Sequence, residues 1–123
     1  MLLDNTSYTI PASDGINLFI RDYSLQNSNK VILIIHGLGE HSGRYLKLIQ
    51  DFNDKNISVF TIDIRGHGKS GGKRGHSPFY KQLMSDIQCF IKHVTNKISN
   101  QKYFLYGHSF GGNLVINYSF QKN

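Results

Sequence analysis

Apolar positions along this chain fall into short runs with two distinct periods. Ser7 to Ile10 and Ile16 to Tyr23 read as strands, and Ile16, Leu18 and Ile20 alternate across the second. Ser13-Asp14-Gly15 between them is a turn signal. After a polar loop from Gln26 to Lys30, Val31 to Ile35 is a continuous apolar run. Such runs suit strands buried on both faces of a parallel sheet. The period then changes. Tyr45, Leu48, Ile49 and Phe52 recur at helical spacing, with Ser42 as a candidate cap and Glu40 in reach of Arg44. Ile57 to Ile64 is a second buried-type strand, followed by a glycine-dense loop from Arg65 to His76. Ser77-Pro78 predicts a helix start, with serine as N-cap and proline at the first helical position. Leu83, Ile87, Phe90, Ile91, Val94 and Ile98 form the apolar stripe of that helix. Lys102 to Tyr106 is the last strand, and a helix-compatible run extends from Gly112 to Gln121.

The order β-β-β-α-β-α-β-α implies an α/β fold, a mostly parallel sheet with helices on both faces. Loops at the carboxyl ends of such strands converge on a binding site. Three glycine-rich loops lie there: His36 to Gly43, Arg65 to His76, and the segment around Ser109.

The bulk composition changes this picture little. The chain has 123 residues, enough for a single domain, and is 39% hydrophobic. Its net charge of +6 raises nucleic acid or an anionic membrane as partners, but the lysines are scattered and suit a solvated surface. Cys89 is the single cysteine, so no internal disulfide and no cysteine-based metal cluster is expected. The N-terminus lacks a signal-peptide pattern, and no apolar run approaches the ~18 residues of a membrane span. A cytoplasmic or peripheral membrane location is therefore expected. Tyr103, Phe104, Tyr106 and Phe110 are expected to fill core rather than stack on nucleobases.

Gly107-His108-Ser109-Phe110-Gly111 carries the chemistry. This G-x-S-x-G pentapeptide sits between a strand and a helix, where a sharp turn exposes a serine hydroxyl as a nucleophile. The glycines admit the close approach of neighbouring backbone. A serine also needs a base and donors for the developing oxyanion, each donor contributing roughly 3 kcal/mol. The amide of Phe110 opens a helix and suits that role. The amide of Leu38, in His36-Gly37-Leu38-Gly39, is the candidate for the second donor.

His36-Gly37-Leu38-Gly39-Glu40-His41-Ser42-Gly43-Arg44-Tyr45 resembles the oxyanion-loop signature of monoacylglycerol lipases and related lysophospholipases. These are α/β-hydrolases allied to serine-aminopeptidase-type hydrolases. Asp63-Ile64-Arg65-Gly66-His67-Gly68-Lys69-Ser70 resembles the D-x-R-G-H-G-x-S loop of the same family, and the pentapeptide its elbow, with Phe110 where methionine is more usual. The resemblance runs from about Tyr8 to Gln121. It implies ester hydrolysis of a monoacyl lipid or lysophospholipid, with Ser109 as nucleophile and the amides of Leu38 and Phe110 as oxyanion hole. His36, Gly37, Gly39, Asp63, Arg65, Gly107 and Gly111 would support these loops. No cofactor, metal or nucleic acid is implied, and peripheral membrane association fits the substrate class. The triad aspartate and histidine follow the serine in the family and would lie beyond Asn123. Residues 1–123 are thus expected to form the N-terminal part of an α/β-hydrolase domain, truncated after the elbow, without lid and C-terminal strands. By itself such a chain is expected to be inactive and poorly soluble.

Other readings carry less. Gly66 to Ser70 looks like the end of a P-loop, but Asp63 stands where that motif requires glycine. His36 and His41 lack the helical spacing of a zinc motif. His36, His41, His67 and His76 lie on the right edge to act as a base, although the resemblance assigns them to loop packing. A chain that has lost catalysis and serves as a binding or regulatory module is the alternative function.

Overall fold

β3 (Lys30–Ile35) and β4 (Ser58–Ile62) form the middle of the sheet because their apolar side chains can be covered on both faces. The computed structural model describes residues 6–37, 39–76 and 79–121. β1 (Thr6–Pro11), β2 (Asn17–Tyr23) and β5 (Lys102–Gly107) complete a five-stranded sheet in the order β1-β2-β4-β3-β5. β3 runs parallel to both β4 and β5, while β2 is antiparallel to both β1 and β4. The β1–β2 hairpin closes at Gly15, whose φ of 87° is readily available only to glycine.

The alternation along β3 separates two cores. Val31, Leu33 and Ile35 join Phe60 and Ile62 beneath α2 (Tyr80–Lys97) and α3 (Phe110–Gln121), which contribute Leu83, Ile87, Phe90, Val94 and Leu114. On the opposite face Ile34 and Val59 pack with Tyr23 against Ile49 of α1 (Leu46–Asp54). Burial of each such side chain contributes roughly 1.5–3 kcal/mol. The helices therefore cover both faces, as the sequence predicts. Among the described residues no helix is long and apolar enough to cross a membrane.

Local details differ from the sequence reading. A 3-10 turn, Ser42–Tyr45, precedes α1, and His41 rather than Ser42 caps it, Nδ1 accepting the Gly43 amide at 3.1 Å. Ser42 is buried instead, because its own amide donates to Asp63 Oδ1 at 2.7 Å. The described part of α2 runs from Tyr80, with Phe79 as its N-cap in extended backbone (φ −142°, ψ 146°). Ser77 and Pro78 lie outside the described residues. β4 stops at Ile62 rather than Ile64, where the chain turns into the glycine-dense loop.

Phe104 and Tyr106 do not fill core. They are 50% and 38% exposed because β5 is an edge strand and α1 covers β3 and β4 on that face. Their neighbours Tyr103 and Leu105 point the other way and pack against the larger core, as does Phe110.

Candidate active site

β5 ends at Gly107 and α3 begins at Phe110, so His108 and Ser109 alone make the turn between them. Ser109 is exposed and takes a φ of 57°. That left-handed conformation costs a non-glycine residue about 1–2 kcal/mol. Neighbouring backbone holds it in place. A β-carbon on Gly111 would run into the carbonyls of Ile35 and His36, and one on Gly107 into the Gly111 carbonyl. The turn is thus packed directly on the end of β3. Hydrogen bonds close it: the His108 amide donates to Ile35 at 3.3 Å, and the Gly111 amide to His108 at 3.0 Å. The Phe110 amide lies in the first turn of α3, where N–H groups have no partner within the helix.

The loop after β3 meets this turn at Gly37. A β-carbon on Gly37 would sit 3.3 Å from Ser109 Cβ and 3.1 Å from the His108 carbonyl oxygen. Glu40 Oε1 accepts the Gly37 amide and the Tyr45 hydroxyl, each at 2.8 Å. The Tyr45 hydrogen bond, with that of Gly37, holds the Glu40 carboxyl down at about 2. Burial, then the bond to Glu40, pushes the Tyr45 hydroxyl up. Glu40 also pairs with Arg44 at 3.4 Å, as the sequence suggests, and lies 3.5 Å from His108 Nδ1.

His36 is fully buried and ties this loop to the next one. Its Nε2 accepts the Ile64 amide at 2.8 Å, which leaves Nδ1 to donate to the Gly37 carbonyl at 2.7 Å. Burial lowers its pKa, so the ring is a neutral brace. Gly39 is exposed at a φ of 75°. Leu38 lies outside the described residues.

The loop from Asp63 to His76 braces the loop after β3. Asp63 is buried and accepts the Ser42 amide at 2.7 Å on one oxygen and the Lys69 amide at 2.9 Å on the other. A β-carbon on Gly68 would collide with that carboxylate. Ser70 accepts the Phe19 amide at 2.8 Å, fastening the loop to β2. Arg65 is buried between two carboxylates: Nε and Nη2 donate to Asp86, and Nη1 and Nη2 to Asp14. These bonds raise the Arg65 pKa further, with Asp86 the larger cause. His67 lies beside His36, ring centroids 5.4 Å apart, with Nδ1 near the Arg65 carbonyl.

The fold therefore sets Gly37 against the turn that holds Gly107, Ser109, Phe110 and Gly111, and keeps His36, Asp63 and Arg65 behind it as supports. Among the described residues no side chain hydrogen-bonds the Ser109 hydroxyl. The sequence reading paired Glu40 only with Arg44 and did not find its hold on Gly37. It also missed Asp14 and Asp86; for Asp86 a carboxylate at helical spacing on an apolar stripe was the available signal.

The model of the serine aminopeptidase S33 family matches residues 26–123. The chain belongs to that family. An uncharacterized abhydrolase domain-containing protein of Dictyostelium discoideum is 45% identical over 74% of this chain and 9% of its own length. The monoacylglycerol lipase of Mycolicibacterium smegmatis is 35% identical over 72% of this chain and 31% of its own. Human monoglyceride lipase is 33% identical over 85% of this chain and 35% of its own. The crystal structure of a thermostable carboxyl esterase from Bacillus coagulans superposes with a TM-score of 0.82 at 26% identity, over 96% of this chain and 40% of that one. This S33-family chain thus has the strand order and helices of part of an α/β-hydrolase fold, and spans about a third of the two lipases it matches. Two of these relatives are named as lipases and the superposed structure as a carboxyl esterase.

Proposed function

We propose that Ser109 is the nucleophile of an ester hydrolase acting on a monoacylglycerol or lysophospholipid. The observation that carries this reading is the left-handed φ of Ser109, held by Gly107 and Gly111 directly against Gly37 of the β3 loop. Strain of this kind persists where surrounding structure over-determines it, and it accompanies active sites. In the reaction, Ser109 Oγ attacks the ester carbonyl carbon while its proton passes to a base. The carbonyl oxygen becomes an oxyanion, stabilised by the amides of Phe110 and Leu38. Collapse expels the glycerol-side alcohol, which takes the proton, and leaves an acyl-serine. Water then attacks the acyl carbon and frees the fatty acid and Ser109. Monoacyl lipid as substrate follows from the likeness to the two lipases.

His36, His41 and His67 do not suit the base. His36 and His67 are buried with ring nitrogens near backbone partners, and His41 caps a turn. On this reading the base and its carboxylate belong to the complete hydrolase fold, of which this chain spans a part. The second reading is a catalytically silent binding or regulatory module.

A fluorophosphonate probe separates the two. The protein isolated from its source should be labelled, and peptide mapping should find the adduct on Ser109 and lose it in Ser109→Ala. A native protein that folds and takes no label belongs to the second reading.

A further inference from the structure

We propose that Tyr8 and His93 form a proton-sensitive latch, which fastens the edge strand β1 to the C-terminal half of α2 while the imidazole is neutral and releases it when the ring gains a proton. The latch lies at the opposite end of the sheet from β5 and stands independently of the role given to Ser109.

Among the described residues β1 borders the sheet with β2 as its one neighbour, so side chains must hold its outer half. Tyr8 stands opposite Ile20 in that pairing and packs against the larger core. Its hydroxyl reaches His93 Nε2 of α2 at 2.7 Å. The two rings meet edge to face, with centroids 5.3 Å apart and planes at 66°. One helical turn beyond His93, Lys97 Nζ lies 3.2 Å from the Tyr8 oxygen and 4.6 Å from the Tyr8 ring centroid. Lys97 also pairs with Asp22 Oδ2 of β2 at 2.6 Å, while Asp22 Oδ1 accepts the Ser24 amide at 2.8 Å. Two strands and a helix thus meet in one connected polar group.

These contacts assign the protons. An ammonium only donates, so the Tyr8 oxygen is the acceptor of the Lys97 bond. That leaves the Tyr8 proton for His93 Nε2, and the neutral ring carries its own proton on Nδ1. Protonation of Nε2 removes the acceptor. Two cations then donate to one phenol oxygen, and the Tyr8 proton loses its partner. The ionisable groups that face His93 among the described residues are Tyr8 from β1, Asp22 from β2 and Lys97 from α2. Burial, then the Lys97 charge, lowers the His93 pKa, and Asp22, already paired with Lys97, opposes them with less effect. With the folded ring below its ordinary 6.5, the unfolded chain takes the proton first. The latch therefore contributes fully above 6.5 and weakens as pH falls below it.

The test is hydrogen exchange of the native protein, read on the peptide that covers β1 and corrected for the intrinsic effect of pH on exchange. As pH falls from about 8 to about 5, exchange of this strand should rise by about threefold or more, the weight of one hydrogen bond. His93→Gln keeps an acceptor that does not titrate, so its β1 should stay protected across that range. Tyr8→Phe removes the hydroxyl, and its β1 should exchange fast at both ends of the range. Circular dichroism establishes that each variant is folded. Nitrogen NMR of the imidazoles should find His93 with its proton on Nδ1 near neutrality and titrating below 6.5. A β1 that loosens equally in His93→Gln, a wild-type β1 equally protected at both ends of the range, or a neutral His93 with its proton on Nε2 would overturn the proposal.

Discussion

Glu40 and His108 face each other across the seam between the β3 loop and the serine turn, Oε1 standing 3.5 Å from Nδ1. The same carboxylate oxygen accepts the Gly37 amide, so one side chain touches both sides of the seam. Held at about 2 against an ordinary 4.5, Glu40 is depressed in the folded state. Its contribution to stability is complete above 4.5 and is lost as pH falls toward 2. Wild type should melt above Glu40→Gln near neutrality, and the two melting temperatures should converge down that window. A gap undiminished at its acid end would show that the Glu40 charge is not what holds the seam.

Ser109→Gly separates strain from chemistry. Glycine adopts a φ of 57° without the penalty serine meets, so the variant should be more stable by up to about 1 kcal/mol while taking no fluorophosphonate label. Denaturant unfolding beside labelling reads both. Lower stability would mean the serine side chain contributes contacts that outweigh its backbone strain.

Gly111→Ala and Gly39→Ala should differ sharply. The first puts a β-carbon into the carbonyls of Ile35 and His36. It should cost about 3 kcal/mol or more, as overpacking against rigid backbone does. The second faces open space and pays only for a φ of 75°, about 1–2 kcal/mol. Comparable losses would contradict the tight seat of α3 on β3.

Arg65→Met leaves the buried Asp86 without its partner. Arg65 and Asp86 are 4% and 5% exposed, and breaking such a pair typically costs roughly 3–5 kcal/mol. Asp14→Asn, at the half-exposed end of the same arginine, should cost much less. Chemical denaturation of the two variants ranks them, and a reversed order would assign the buried charge to Asp14 instead.

Phe104 and Tyr106 present apolar surface on an edge strand. Such edges recruit other strands. For the 123-residue polypeptide, Phe104→Lys should reduce light scattering on concentration while leaving its circular dichroism unchanged. Scattering unaffected by the lysine would locate aggregation elsewhere.

Period and composition by themselves determined the order of elements in this protein. The helical recurrence of Leu48, Ile49 and Phe52 and the unbroken run from Val31 to Ile35 follow from local geometry that any such residues share. The three glycine-bearing motifs likewise marked the serine turn and its two flanking loops, because backbone conformations that exclude a β-carbon leave glycine in the sequence. What the tertiary structure decided are partnerships between residues distant along the chain. Asp63 takes the Ser42 amide and so hands the cap to His41, and Arg65 closes on Asp14 and Asp86 from two other elements. Phe104 and Tyr106 have the composition of core residues, yet their exposure is set by which strand borders the sheet and where α1 packs. Hydrogen bonds and burial of this kind depend on which surfaces meet, a property of the assembled sheet that no local pattern carries.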